Sequence, residues 1–276
     1  MTEPDPQMSL PLCFHRNTRI PNLGDELSPY LVGKLAKREV RRAEAETDPS
    51  ALFAIGSIIG RTRFPSQVVW GSGFISDVGK LKTQPVCTAV RGPLTLARLG
   101  LEHNIPVGDP ALLMPDIYRP KGVVQDIDIG IIPHHIDLAG FQARFRPDDA
   151  ASHLVLNIAT ADVEGFIDQL LRCRFVFSSS LHGVILAHAY GIPALWMELS
   201  DKVIGGGYKF RDYFLSVSIP PYDALDLRRG QILLSELTAL RDKAGARSRI
   251  VNYDKSGLLE AFAHALENLE LTSAKR

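Results

Sequence analysis

Residues 174–197 read RFVFSSSLHGVILAHAYGIPALWM. An apolar run enters a hydroxyl-rich turn, a helix-length segment follows, Gly-Ile-Pro breaks it, and a second apolar run leaves. The pattern predicts a buried strand at Phe175–Phe177, a helix at Gly183–Tyr190 and a further strand at Ala194–Met197. Working outward, the same alternation continues. Upstream lie strands at Ile127–Ile132 and Leu154–Ile158 and a helix at Asp162–Arg172. Nearer the N-terminus are strands at Leu10–Phe14, Leu52–Ile55, Val68–Trp70 and Val86–Val90, with helices at Glu26–Lys37 and Pro93–Leu99. Amphipathic helices near Gln231–Lys243 and Ser256–Leu269 close the chain. The latter places Leu259, Phe262, Leu266 and Leu269 on one stripe, read as core packing. Buried strands alternating with helices imply an α/β fold with parallel sheets covered on both faces. The series restarts after Asp116–Pro120. We therefore expect two Rossmann-like domains, residues 1–119 and 120–276, with the last helix in a position to pack back on the first.

Composition narrows the class of function. The chain has 276 residues, 45% hydrophobic and 22% charged, enough to bury a real core. Lys plus Arg and Asp plus Glu are balanced at 31 each, so the basic excess of a general nucleic-acid binder is absent. Cys13, Cys87 and Cys173 are far apart, lack metal spacing, and read as buried reduced thiols. Met1–Gln7 has neither the basic nor the apolar region of a signal peptide, and no apolar run approaches the roughly 20 residues that span a bilayer. A cytoplasmic protein is expected, at most peripheral at the inner membrane, with no metal and no bound cofactor.

In parallel sheets, ligands bind beyond the carboxyl ends of the strands, and the unusual sequence lies there. Asn22-Leu23-Gly24-Asp25 opens a helix; it suits a ligand anion or simply caps the helix. Ile55-Gly56-Ser57 and Gly71-Ser72-Gly73-Phe74 are small-residue turns, and neither has the spacing of a dinucleotide fingerprint or P-loop. Arg91, before Gly92-Pro93, is placed either to hold a carboxylate or phosphate or to make a surface salt bridge. Asp109, in Gly108-Asp109-Pro110-Ala111, is either a turn cap or a site carboxylate. Ser178-Ser179-Ser180-Leu181-His182-Gly183 is the most informative: hydroxyls and free N–H groups converge at a helix start beside a histidine, an arrangement for binding phosphate and supplying a proton. His188 reads as core or as support. His134-His135 is ambiguous. Gly205-Gly206-Gly207-Tyr208-Lys209-Phe210-Arg211-Asp212-Tyr213 reads as a mobile loop closing over an anion or as a solvated, salt-bridged loop.

Together these segments resemble the polysaccharide pyruvyl transferase family. The matching pieces are Asn22–Asp25, Gly71–Phe74, Arg91-Gly92-Pro93 with Thr95 and Leu99, Gly108–Leu112, and Ser179–Gly183 followed by Ala187 and Tyr190-Gly191-Ile192-Pro193. They occur in the family's order through most of residues 10–215. The nearest likeness is to shorter bacterial members that decorate exopolysaccharides. The resemblance implies a GT-B-like fold, its two domains facing across a cleft, with phosphoenolpyruvate as donor and a sugar acceptor, often lipid-linked. It maps the family's histidine onto His182 as general acid and its arginine onto Arg91. Many members carry an arginine two residues before the histidine, where this chain has Ser180; Lys209 or Arg211 is then expected to supply a cation. Asp25 or Asp109 would orient a hydroxyl or act as base. Asn22, Gly24, Ser57, Gly71, Gly73, Ser178 and Ser179 complete the expected substrate-binding set. Two alternatives stand beside this reading: a GT-B glycosyltransferase using a nucleotide-sugar, and a non-catalytic carbohydrate- or nucleotide-binding protein.

Overall fold

The computed structural model describes residues 9–15, 20–101, 104–249 and 253–273. Met1–Gln7, read above for a signal peptide, lies outside the described residues. In the first half, β1 (Leu10–Cys13), α1 (Leu23–Ala36), β2 (Val40–Arg42), β3 (Leu52–Phe53), β4 (Val68–Trp70), β5 (Val86–Ala89) and α2 (Pro93–Leu99) follow in order. A 3-10 turn at Pro110–Leu113 leads to α3 (Met114–Ile117). The second half comprises β6 (Ile129–Ile132), α4 (Leu138–Arg144), β7 (Phe145–Arg146), β8 (His153–Val155), α5 (Val163–Leu171), β9 (Val176–Ser178), α6 (Leu181–Ala189), β10 (Ala194–Glu198), α7 (Tyr208–Ser216), β11 (Leu225–Asp226), β12 (Ile232–Leu233), α8 (Leu234–Asp242) and α9 (Ser256–Ser273).

Two five-stranded sheets result. The first has the order β2-β1-β3-β4-β5 and the second β11-β10-β9-β6-β8. Every pairing in both is parallel. The strands β1, β4, β6 and β9 are buried along their whole length, which is why they read as unbroken apolar runs. Counted within its own half, each sheet has the order 2-1-3-4-5, so each has its switch point between its first and third strands: β1/β3 in one, β6/β9 in the other.

The two halves share one core. Leu12, Leu27 and Trp70 of the first half belong to the same buried cluster as Ile132, Val184 and Phe214 of the second. Helix α9 packs on β4 and β5 of the first sheet. Trp70 Nε1 donates to the Leu258 carbonyl at 2.8 Å, and the Trp70 and Phe262 rings lie 4.4 Å apart. The buried face of α9 is Leu258, Ala261, Phe262, Ala265 and Leu269. Leu259, placed on the core stripe by sequence, is 43% exposed. The face that meets β4 is centred one residue earlier, because Leu258 sits under Trp70. A second correction concerns residues 208–216. They form α7 with Tyr208, Phe210, Asp212, Tyr213 and Phe214 buried, where a mobile or solvated loop was expected.

Candidate functional site: an anion pocket between the switch points

A pocket of about 230 Å³ opens at the carboxyl ends of both sheets. The first half contributes Phe14 and His15 after β1, Ile55–Ile58 after β3, and Asn22 and Asp25 at the start of α1. The second contributes His134 and His135 after β6, Ser180, Leu181 and His182 after β9, and Lys209 in the first turn of α7. Both switch points therefore face one cavity. Three helices of nine or more residues, α1, α6 and α7, begin at its wall, and their first turns favour negative charge.

His182 is the second residue of α6. Its Nε2 is buried with no hydrogen-bond partner among the described residues. Burial, with Lys209 and Arg91 adding to it, pushes its pKa down to about 3, so the imidazole is neutral. Gly24 lies directly under the ring: a Cβ there would come within 2.2 Å of His182 Nδ1. Lys209 is largely buried; desolvation, then Arg91, lowers its pKa to about 8, and no carboxylate among the described residues pairs with it. Burial and then His135, Lys209 and His182 lower His134 to about 3. Burial raises the Asp25 carboxyl, which accepts from Asn22 Nδ2 at 3.1 Å.

Ser178 and Ser179 stand behind the pocket wall. Ser178 Oγ donates to the Ile132 carbonyl at 3.0 Å and accepts from Ser180 N at 3.0 Å, tying the end of β9 to β6. Ser179 Oγ accepts from His134 N at 2.8 Å and donates to the buried Asp137 at 2.9 Å. Asp137 also accepts from Ser200 Oγ, so the His134–His135 loop is held from below.

Arg91 is fully buried behind the pocket. Its guanidinium donates to Asp212 (3.0 Å), to Ser57 Oγ (2.6 Å) and to the Phe74 carbonyl (2.6 Å). Asp212 also accepts from the Thr95 amide at 2.9 Å and its hydroxyl at 2.6 Å. Gly73 and Gly92 make room for this cluster: a Cβ on Gly73 would meet Arg91 Cζ at 2.4 Å, and one on Gly92 the Asp212 carbonyl at 2.0 Å. Arg91-Gly92-Pro93 with Thr95 is thus organised around Asp212 of α7, and Arg91 reaches the pocket through Ser57. Gly71 packs against Pro110, where a Cβ would meet the ring at 2.2 Å. Asp109 caps the Pro110–Leu113 turn through Ala111 N (3.0 Å), is fully buried away from the pocket, and is raised by burial to about 6. Arg211 bonds the Gly206 carbonyl and lines a separate cavity with Glu198, Asp223 and Asp226.

The structure therefore gathers Asn22, Gly24, Asp25, Ser57, Ser180, His182 and Lys209 at one pocket. Gly73, Arg91, Ser178 and Ser179 support its walls, while Gly71, Asp109 and Arg211 lie elsewhere. His134-His135 joins the site; its signal in sequence was its place after β6, equivalent to that of Ser180–His182 after β9. His188 is buried, its ring nitrogens 3.1 Å from Tyr213 Oη and from the Ser248 carbonyl.

Fold and pocket together define an α/β protein of two Rossmann-like sheets with an anion-receptive site between their switch points. The chain belongs to the polysaccharide pyruvyl transferase family, whose profile matches residues 53–201. An uncharacterized protein of Acanthamoeba polyphaga mimivirus is 31% identical over 201 residues, covering 70% of this chain and 69% of that one. The succinoglycan biosynthesis protein ExoV of Rhizobium meliloti is 25% identical over 206 residues, covering 72% of this chain and 62% of ExoV's own length. A functionally uncharacterized crystal structure from Klebsiella pneumoniae subsp. pneumoniae aligns with a TM-score of 0.37 at 16% identity, covering 75% of this chain and 87% of that one.

Proposed function

We propose that this chain transfers the pyruvyl group of phosphoenolpyruvate to two hydroxyls of a sugar, forming a cyclic ketal on an exopolysaccharide or its lipid-linked precursor. The observation that carries the reading is Lys209: a largely buried ammonium with no acidic partner among the described residues, in the first turn of a helix whose dipole disfavours it. Beyond the Phe210 ring, whose centroid is 5.7 Å from its Nζ, this ammonium has no counter-charge among the described residues and is matched to an anion. The donor supplies two, a phosphate and a carboxylate. Lys209, Ser180 and the amides opening α6 receive them. Anions beside His182 offset the burial that holds it neutral and raise its pKa. A protonated His182 then gives its proton to the donor's methylene carbon, C2 becomes electrophilic, and Asp25 orients the attacking hydroxyl. The two sheets are read as facing across this pocket in a GT-B-like way. The setting is cytoplasmic, peripheral to the membrane where the acceptor is lipid-linked.

Phosphate release is the test. The purified protein, given phosphoenolpyruvate and free or lipid-linked oligosaccharides, is expected to release inorganic phosphate only when both are present, with a mass gain on the acceptor matching a ketal. Sugar transfer from a nucleotide-sugar without phosphoenolpyruvate would replace this reading with a glycosyltransferase.

A further inference from the structure

Two imidazoles that line the pocket each have a buried ring nitrogen with no hydrogen-bond partner among the described residues: Nε2 of His182 and Nδ1 of His135. Folded proteins leave few such atoms, and each calls for an explanation. Two at one cavity, from two loops, mark places where substrate completes the hydrogen bonding. The loops follow β6 and β9, which pair directly through Gly130–Val176 and Ile132–Ser178, so both histidines project from one wall. The His135 loop is built to hold its ring: Asp137 anchors it through Ser179, and His134 lies 4.3 Å away, ring to ring.

The ketal reaction needs a group to take the proton of the attacking hydroxyl. Asp25 already accepts from Asn22. We propose that His135 is the general base that deprotonates the acceptor hydroxyl, acting from the same pocket wall as the acid His182. This rests on the phosphoenolpyruvate reading above. The His135 ring takes the hydroxyl proton, and the freed O–H electron pair forms the O–C2 bond. The C2=C3 electron pair takes the proton of His182, making the methyl group. The C2–O bond to phosphate then breaks, and its electron pair leaves with phosphate, which carries away the proton held on His135. The second hydroxyl adds to C2, and its proton restores His182. The sum is donor plus diol giving ketal plus hydrogen phosphate.

The groups that act on the charge of His135 are Asp137, which favours its protonation, and Lys209, which opposes it; the His134 ring lies beside it at a tilt of 34°. Burial outweighs Asp137 and keeps the ring neutral and able to accept a proton.

The test compares His135→Ala and His135→Asn with the parent protein. Turnover is expected to fall on the order of 10²-fold or more, with the Kd for phosphoenolpyruvate within about threefold by calorimetry and with added imidazole restoring turnover to His135→Ala. Rescue is what a merely structural histidine would not give. Turnover within a few-fold of the parent in either variant, beside a defective His182→Gln, overturns the role of His135 and leaves the donor reading standing. A parent protein that neither binds phosphoenolpyruvate nor releases phosphate from it overturns both.

Discussion

At the scale of single residues, His182 and Gly24 form one device. A histidine in the first turn of α6 is disfavoured as a cation by the helix dipole, by burial, and by Lys209 and Arg91. Those influences keep it neutral, and on the proposed reading the donor's anions turn it into an acid. Its Nε2 has no partner to lose, so removing the ring leaves no other group unsatisfied on that side. His182→Gln is therefore expected to lower kcat on the order of 10²-fold or more while the melting temperature stays near the parent's. Gly24→Ala tests the same geometry from beneath. The added methyl would lie 2.2 Å from Nδ1 and 2.6 Å from Cε1, so the ring must move, and a comparable loss of kcat is expected. Turnover within a few-fold of the parent in His182→Gln would reject the acid role, and a large fall in its melting temperature would make the histidine structural.

The lesson of the elements is α7. Its composition, with Lys209, Arg211 and Asp212 among aromatics, reads as a surface loop, since nothing within nine residues says that Asp212 is buried. The reason lies 121 residues away, in the Arg91 guanidinium. Local pattern found the strands because β1, β4, β6 and β9 are buried on both faces, and it found the turns after them because ligand-binding turns need small or capping residues. It missed α7 because a buried ion pair is a tertiary fact. The short edge strands β2 and β11, with exposed or half-buried residues, left no apolar signal. The same pair gives a prediction. Arg91 and Asp212 are both fully buried, and breaking such a pair by removing one charge costs about 3–5 kcal/mol. Asp212→Asn is nearly isosteric but leaves the guanidinium uncompensated. Chemical denaturation is expected to show a loss of this size, and a loss below about 1 kcal/mol would mean that Arg91 finds another anion in the folded chain.

For the molecule as a whole, the repeated 2-1-3-4-5 order decides where the function sits, because it brings two switch points against one cavity that neither half encloses alone. It also explains why His134-His135 stayed ambiguous in sequence: the groups that give the pair meaning come from α6 and α7. Concentrating so many titratable groups in one buried place has a consequence for stability. His134, His135, His182 and His188 all have pKa values lowered by burial, three of them to about 3 or 4, whereas an unfolded chain's histidines titrate near 6.5. Between about pH 4 and 6.5 the unfolded chain therefore binds protons that the folded chain refuses, and stability falls as pH falls. Asp25 and Asp109 are raised by burial and act in the opposite sense, holding protons in the folded state that the unfolded state releases. Four lowered histidines against two raised carboxyls leave a net uptake of protons on unfolding in this range. Denaturation midpoints are expected to drop as pH falls below about 6.5. If phosphoenolpyruvate is the donor, as proposed, its anions should raise the pKa of His182 and His134, so its binding is expected to take up protons and to tighten as pH falls from 8 to 6. The donor's stabilising effect is thus expected to grow over the range in which the unliganded protein weakens. A stability profile that is level from pH 4.5 to 7 would show that these histidines are hydrated in solution, and donor affinity that is level from pH 8 to 6 would separate them from the anion site.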